Sequence, residues 1–276
     1  MSVFEVRNHH GAPTLFMDGK PSFAEIYLTV CNSPSAYLRM SKGWEGWKPW
    51  RDDPYFRAFR DAGFHFYSIF APVMFDEAYD PATGEFPQEA FVRLDELRRY
   101  VEVDPQAKFL VRLWTEPRGE GSAQIQEHLA GKGSAWIQQH RDECEVLEER
   151  ARGTYLNPSF ASKAWLADAG KFVRALIRYV HEHGLNEYVF GYLVCAGDSE
   201  EWGKVGHLLD WAGDYSRPMQ EAFREWLREK YGGDVRALRE AWGDQGVDFE
   251  QDLVPSVAEQ GDADLFLFKD PRRWPG

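Results

Sequence analysis

Apolar runs and amphipathic stretches alternate along the chain, the pattern expected of βα units around a parallel sheet. Thr14 to Met17 reads as a short hairpin strand and Phe23 to Val30 as a buried strand, with Asp18-Gly19-Lys20-Pro21 as the turn between them. Pro54 to Asp61 has Tyr55, Phe56 and Phe59 on one side, so it predicts a helix that Gly63 ends. His65 to Ala71 is the next strand. Phe91 to Val101 carries Leu94, Leu97 and Val101 at helical spacing and stops at Asp104-Pro105. Lys108 to Trp114 predicts a third strand.

The segment from Glu116 to Asn157 is long for a βα loop, with helical fragments expected around Ile137 and Val146. It reads equally well as a decorated active-site loop or as a surface insertion. Ser159 to His183 is the clearest helix, because Trp165, Ala169, Phe172, Leu176 and Val180 form one apolar stripe. Ser159 or Ser162 is positioned to cap its start and Gly184 to end it. Tyr188 to Cys195 predicts a fourth strand, apolar on both faces. Ser216 to Lys230 and Val235 to Trp242 read as helices separated by Gly232-Gly233, and the tail from Gly261 to Gly276 has no strong signal. The fold class is therefore α/β, of the TIM (β/α)8-barrel type, with only the first four to five βα units present. A closed barrel takes about 250 residues, and here the early units already run to about residue 245. The expected organisation is one barrel domain over residues 1–276, incomplete at the carboxyl end.

Composition narrows the function. The net charge of −13 disfavours nucleic acid and anionic membrane surfaces, which demand clustered Lys and Arg. The 276 residues contain no run of 18 apolar positions and no apolar leader at the amino terminus, so a soluble cytoplasmic protein is expected. Cys31, Cys144 and Cys195 are widely spaced and odd in number, which makes neither a metal pattern nor a disulfide framework. His9, His10, His65 and His207 show no ligand spacing, so neither a metal nor a cofactor is expected. Eleven Trp and a 15% aromatic content fit either buried rings or a carbohydrate cleft.

Candidate chemistry gathers after the fourth strand, where Asp198, Glu200, Glu201 and Trp202 follow within seven residues of Cys195. Residues just past the strand ends of a parallel barrel face the active site. Cleaving an acetal needs a proton on the leaving oxygen, and a carboxylic acid beside apolar rings has a raised pKa that keeps its proton near neutrality. A solvated acidic loop is the alternative. On the third strand Arg112, Trp114 and Glu116 alternate, which puts them on one face. There Arg112 could orient a carboxylate and Glu116 could bind hydroxyls, or the two could form a core pair without a catalytic role. Trp44, Trp47 and Trp50 either stack on sugars or pin their loop. Asp76, Glu77 and Asp80 are expected to be solvated.

Several stretches resemble clan A glycoside hydrolases, especially the β-galactosidase-like barrels of family 42. Leu15 to Pro21 is similar to an opening "DGKP" hairpin, Tyr55 to Ala71 to a helix and strand of the family, and Asp104 to Arg112 to "dPdAkfl.R". Pro158 to Trp165 is similar to "PS.aS..W", and Gly191-Tyr192 through Glu201-Trp202 to "GYh…G…EW". Asp214-Tyr215-Ser216 and Phe223 to Gly243 are similar to "DyS…FR.WL..KYg…L..aWg". The resemblance spans most of residues 14 to 250. It implies a retaining, two-carboxylate hydrolase of O-glycosidic bonds with Glu201 as general acid/base and Glu200 as its alternate. Arg112, Trp114, Glu116, Asp198 and Trp202 would bind a carbohydrate substrate. Leu193 stands where the pattern has His, and Trp114-Thr115-Glu116-Pro117 replaces the expected "P.WW". The nucleophile of such enzymes sits on a late strand about 5 to 5.5 Å from the acid/base, and this chain offers no candidate for it. The competing expectation is a non-catalytic carbohydrate-binding or degenerate half-barrel protein, which would need a partner such as a second copy in a homo-oligomer to cover its strand edges.

Overall fold

The computed structural model describes residues 3–23, 25–28, 54–117, 134–149, 153–196, 202 and 214–254. The chain opens with an antiparallel meander, β1 (Phe4–His9), β2 (Ala12–Met17) and β3 (Lys20–Pro21), in spatial order β1-β2-β3. Both of its turns have left-handed backbones. His10-Gly11 lies at φ 52° and 86°, and Asp18-Gly19 at 52° and 78°. Two successive positive-φ residues match the right-handed twist of the flanking strands. The sequence predicts the Asp18-Gly19 turn but not β1, although Phe4-Glu5-Val6-Arg7 alternates apolar and polar positions. Lys20-Pro21, expected in the turn, form β3, and Phe23, expected to open a buried strand, lies before β4 and is exposed.

The chain then alternates strands and helices: β4 (Ile26–Leu28), α1 (Pro54–Asp61), β5 (Phe66–Phe70), α2 (Phe75–Ala78), α3 (Glu96–Val103) and β6 (Lys108–Trp114). Past β6 come α4 (Ala135–Gln139), a hairpin of β7 (Cys144–Glu149) and β8 (Gly153–Pro158), the long helix α5 (Lys163–Glu182), β9 (Val189–Cys195), α6 (Arg217–Lys230) and α7 (Val235–Trp242). The molecule divides into two compact units, Met1–Thr115 with Lys171–Cys195, and Glu116–Gly170 with Ala196–Gly276.

The first unit is a mixed α/β structure built on a parallel sheet of order β4-β5-β6-β9, so neighbours in space follow chain order. Tyr67, Ile69, Phe109, Val111 and Leu113 alternate onto one face and are buried. Helices cover that face: the Phe56 ring of α1 lies 4.6 Å from Tyr67, and Tyr100 of α3 lies 6.0 Å from Phe109. Phe66, Ser68, Phe70, Arg112 and Trp114 occupy the other face and are buried too. The outer strand β9 is half-exposed, with Leu193 at 44%. That departs from the expected strand apolar on both buried faces, because β9 has one neighbour among the described residues.

Before α3, Gln88–Asp95 forms a 3-10 helix rather than the α-helix expected from Phe91 onward. Phe91 and Leu94, three residues apart, fall on one side of its three-residue turn and are both fully buried. Phe91 packs 5.8 Å from Phe172 of α5. A buried polar knot ties the start of β5 to the turn before β6. Asp104, 1% exposed, accepts the Tyr67 hydroxyl at 2.7 Å and sits 3.0 Å from His65 Nδ1. Burial and that carboxylate push the Tyr67 phenol far above its usual range.

In the second unit, α4 appears where the helical fragment at Ile137 was expected. Val146, expected in a helix, lies instead in the antiparallel hairpin β7–β8. The stretch around it is short and broken by Gly153, too brief for a stable helix and suited to a paired strand. Farther on, Leu227, Leu238, Val247, Phe249 and Leu253 make a separate small core for α6 and α7.

Candidate functional site

Parallel pairing brings the carboxyl ends of β6 and β9 side by side. Arg112 is in register with Leu193 and Trp114 with Cys195. Just beyond, the backbone N–H and the hydroxyl of Thr115 both donate to the Cys195 carbonyl, at 3.1 and 3.0 Å. Two donors on one carbonyl clamp the point where the chain leaves β9 toward Asp198, Glu200 and Glu201. Those three acids, and Trp44, Trp47 and Trp50, lie outside the described residues.

Arg112 and Trp114 share one face of β6, as their alternation predicts. Arg112 is 4% exposed, and its guanidinium carbon sits 3.9 Å from the centre of the Phe70 ring. Trp114, 5% exposed, lies 6.4 Å from the same ring. The cation thus sits over an aromatic ring, a partner that suits a delocalised guanidinium better than an ammonium. On β9, burial pushes the Tyr192 phenol up to about 12. Glu116, expected on the same strand face, instead lies past the end of β6 in a bend; it is 3% exposed and belongs to the second unit.

Trp202 is half-exposed and has φ 55°, a left-handed backbone that a bulky aromatic rarely adopts. Its N–H donates to the Ala196 carbonyl at 2.9 Å. Its ring lies 5.8 Å from Phe160 and 6.1 Å from the fully buried Trp165. A strained residue persists only where its surroundings over-determine it, and here a backbone bond and two rings do so.

Sequence reading did not foresee the polar clasp of the second unit. Ser159 Oγ donates to Asp214 Oδ2 at 2.5 Å, and Asp214 Oδ1 accepts the Ser216 N–H at 2.9 Å, just before α6. Ser162 accepts the Trp165 N–H at 3.0 Å, capping α5, and donates to Glu143 at 2.7 Å. Glu143 also pairs with Arg217 at 3.1 Å. Of the two serines proposed as caps, Ser162 serves and Ser159 instead holds Asp214. Fifty-five residues separate Ser159 from Asp214, so no local pattern in the sequence records this bond.

The acids after β5 reach solvent, as expected, and two of them also make local hydrogen bonds. Glu77 accepts the Met74 N–H at 3.1 Å, and desolvation raises its carboxyl above the ordinary range. Asp80 accepts the Thr83 hydroxyl at 2.7 Å and the Ala82 N–H at 2.9 Å, which hold its carboxyl below that range. Both acids shape a turn. Among the described residues no cluster of three His, Cys, Asp or Glu has the geometry to hold a metal ion, and no helix is long and apolar enough to cross a membrane.

No family model matches the sequence, and no curated protein matches it. Among solved structures, the chain is similar to Gan42B, a GH42 β-galactosidase, with 20% identity and a TM-score of 0.43. The match covers 73% of this chain and 26% of that one, so the chain spans about a quarter of that protein's length. A likeness at this level carries no argument about family or activity.

Proposed function

We propose that the protein is a glycoside hydrolase of the (β/α)8-barrel type, cleaving O-glycosidic bonds of β-galactoside-like substrates by a retaining, two-carboxylate mechanism. Glu201 is the general acid/base, with Glu200 as its alternate. Arg112, Trp114, Glu116, Asp198 and Trp202 contact the sugar. The observation that carries the reading is the sheet: parallel strands in chain order, with the acid-bearing segment leaving the fourth strand beside the carboxyl end of the third. The half-exposed Trp202, held with φ 55°, supports it as an open aromatic face of the kind on which a sugar stacks. In this mechanism Glu201 gives its proton to the departing oxygen while a second carboxylate, for which this chain offers no candidate, takes up the glycosyl group; Glu201 then takes a proton from the water that releases the sugar.

The test is hydrolysis of an aryl β-galactoside by the protein and by Glu201→Gln. The variant is expected to keep its fold and lose roughly 10²- to 10⁴-fold in kcat. Equal turnover by both proteins would refute the assignment. Half-exposure of the outer strand β9 favours a second reading, a non-catalytic carbohydrate-binding protein that associates through that edge. It predicts no turnover by the unaltered protein and a self-associated species in sedimentation.

A further inference from the structure

A groove of about 500 Å³ opens at the amino-terminal end of the parallel sheet, where β5 and β6 begin. This is the end opposite to Trp114 and Cys195, and the proposed hydrolase reading makes no use of it. Ser22, Phe23, Glu25, His65, Gln106 and Lys108 contribute to its lining. Phe23 is 76% exposed, an unusual position for a ring of that size.

The His65 side chain is built into place. Its Nδ1 lies 3.0 Å from both carboxylate oxygens of the buried Asp104, and that carboxylate also accepts the Tyr67 hydroxyl and the Gln106 N–H, the latter at 3.1 Å. A carboxylate fixed by several donors fixes the imidazole in turn. With Nδ1 engaged, Nε2 is the ring's remaining polar atom. The Lys108 ammonium donates to the Glu187 carbonyl at 2.9 Å, so part of its donor capacity is already taken.

Charge selects among ligands. One carboxylate and one ammonium leave the lining near neutrality. A phosphorylated ligand calls for several cations, and a divalent metal ion for several oxygen ligands. What the groove presents is an uncovered aromatic ring beside a carboxylate, an imidazole and a carboxamide. Concave sites of mixed apolar and convergent polar character take small molecules of matching pattern. Vicinal hydroxyls match the polar groups, and the C–H face of a pyranose matches the ring. We propose that this groove binds a neutral saccharide. The inference stands on the groove alone and does not depend on the protein being a hydrolase.

Titration of the full chain, carrying Glu201→Gln so that no sugar is consumed, tests it. The probes are methyl β-galactoside, methyl β-glucoside and methyl α-mannoside, followed by NMR of the His65 imidazole. At least one is expected to shift the Nε2 resonance saturably. Phe23→Ala and Glu25→Gln, both at exposed positions, should each weaken that binding tenfold or more with unchanged melting temperature. No saturable shift with any probe overturns the proposal, as does a shift that survives both substitutions. Loss of turnover in Glu201→Gln is read separately, so the two proposals fail independently.

Discussion

At the scale of single residues, the second unit depends on a few buried hydrogen bonds made by short polar side chains. Ser159, fully buried, donates to Asp214, itself 9% exposed. Removing the hydroxyl strands a buried carboxylate oxygen, so Ser159→Ala is expected to cost about 1 to 3 kcal/mol in urea unfolding. A loss below a few tenths would show that the bond is not made in solution. Trp202 belongs to the same scale. Its ring lies against Phe160 and Trp165 with about half its surface open. If it forms a floor for the sugar, Trp202→Ala should raise KM about tenfold, equivalent to ~1.4 kcal/mol, and move kcat little. A fall in kcat at constant KM would assign the ring to the transition state instead.

At the scale of elements, caps and turns decide where helices begin. Helix α5 starts at Lys163 because Ser162 caps it, and α7 starts after Asp234, whose carboxylate accepts the Arg236 N–H at 2.9 Å. The short α2 is capped differently, by Glu77 accepting the Met74 N–H. Partial desolvation raises the Glu77 carboxyl in the folded state. The folded protein therefore holds that proton more tightly than the unfolded chain does. The favourable contribution is complete below the ordinary carboxylate range and is lost as pH rises through the raised folded value. Glu77→Gln stays neutral throughout. Relative to the unaltered protein its stability should improve as pH rises from 4 to 7, by under about 1 kcal/mol. Melting curves across that range check the sign, and a difference that shrinks with rising pH would contradict it.

At the scale of the whole molecule, charge and sheet edge govern behaviour in solution. Forty-five acidic against 32 basic side chains set a sequence pI near 5.1. Self-repulsion keeps such a chain dispersed at neutral pH and vanishes as the net charge approaches zero. A solubility minimum is expected near pH 5.1, measurable as turbidity across a pH series, and Leu193 on the half-exposed β9 is an apolar contact that would add to association there. Maximal solubility at pH 5 would show that the folded surface does not carry the charge that composition implies.

Periodicity and local chemistry made much of this legible from the chain alone. Apolar runs located β5, β6 and β9 to within a residue or two, and α1 and α7 to the residue. An unbroken stripe found α5, and alternation found the face that Arg112 and Trp114 share. Such features arise among near neighbours in sequence, where spacing alone sets which side chains lie together. Tertiary structure decided the rest. It spent Ser159 on Asp214 rather than on a helix cap, gathered Asp104, His65 and Tyr67 into one buried knot, and turned the stretch at Val146 into a hairpin strand. Each of those outcomes joins groups distant along the chain or depends on a partner strand. A buried polar group takes whichever partner the fold brings near, and local pattern does not record that choice.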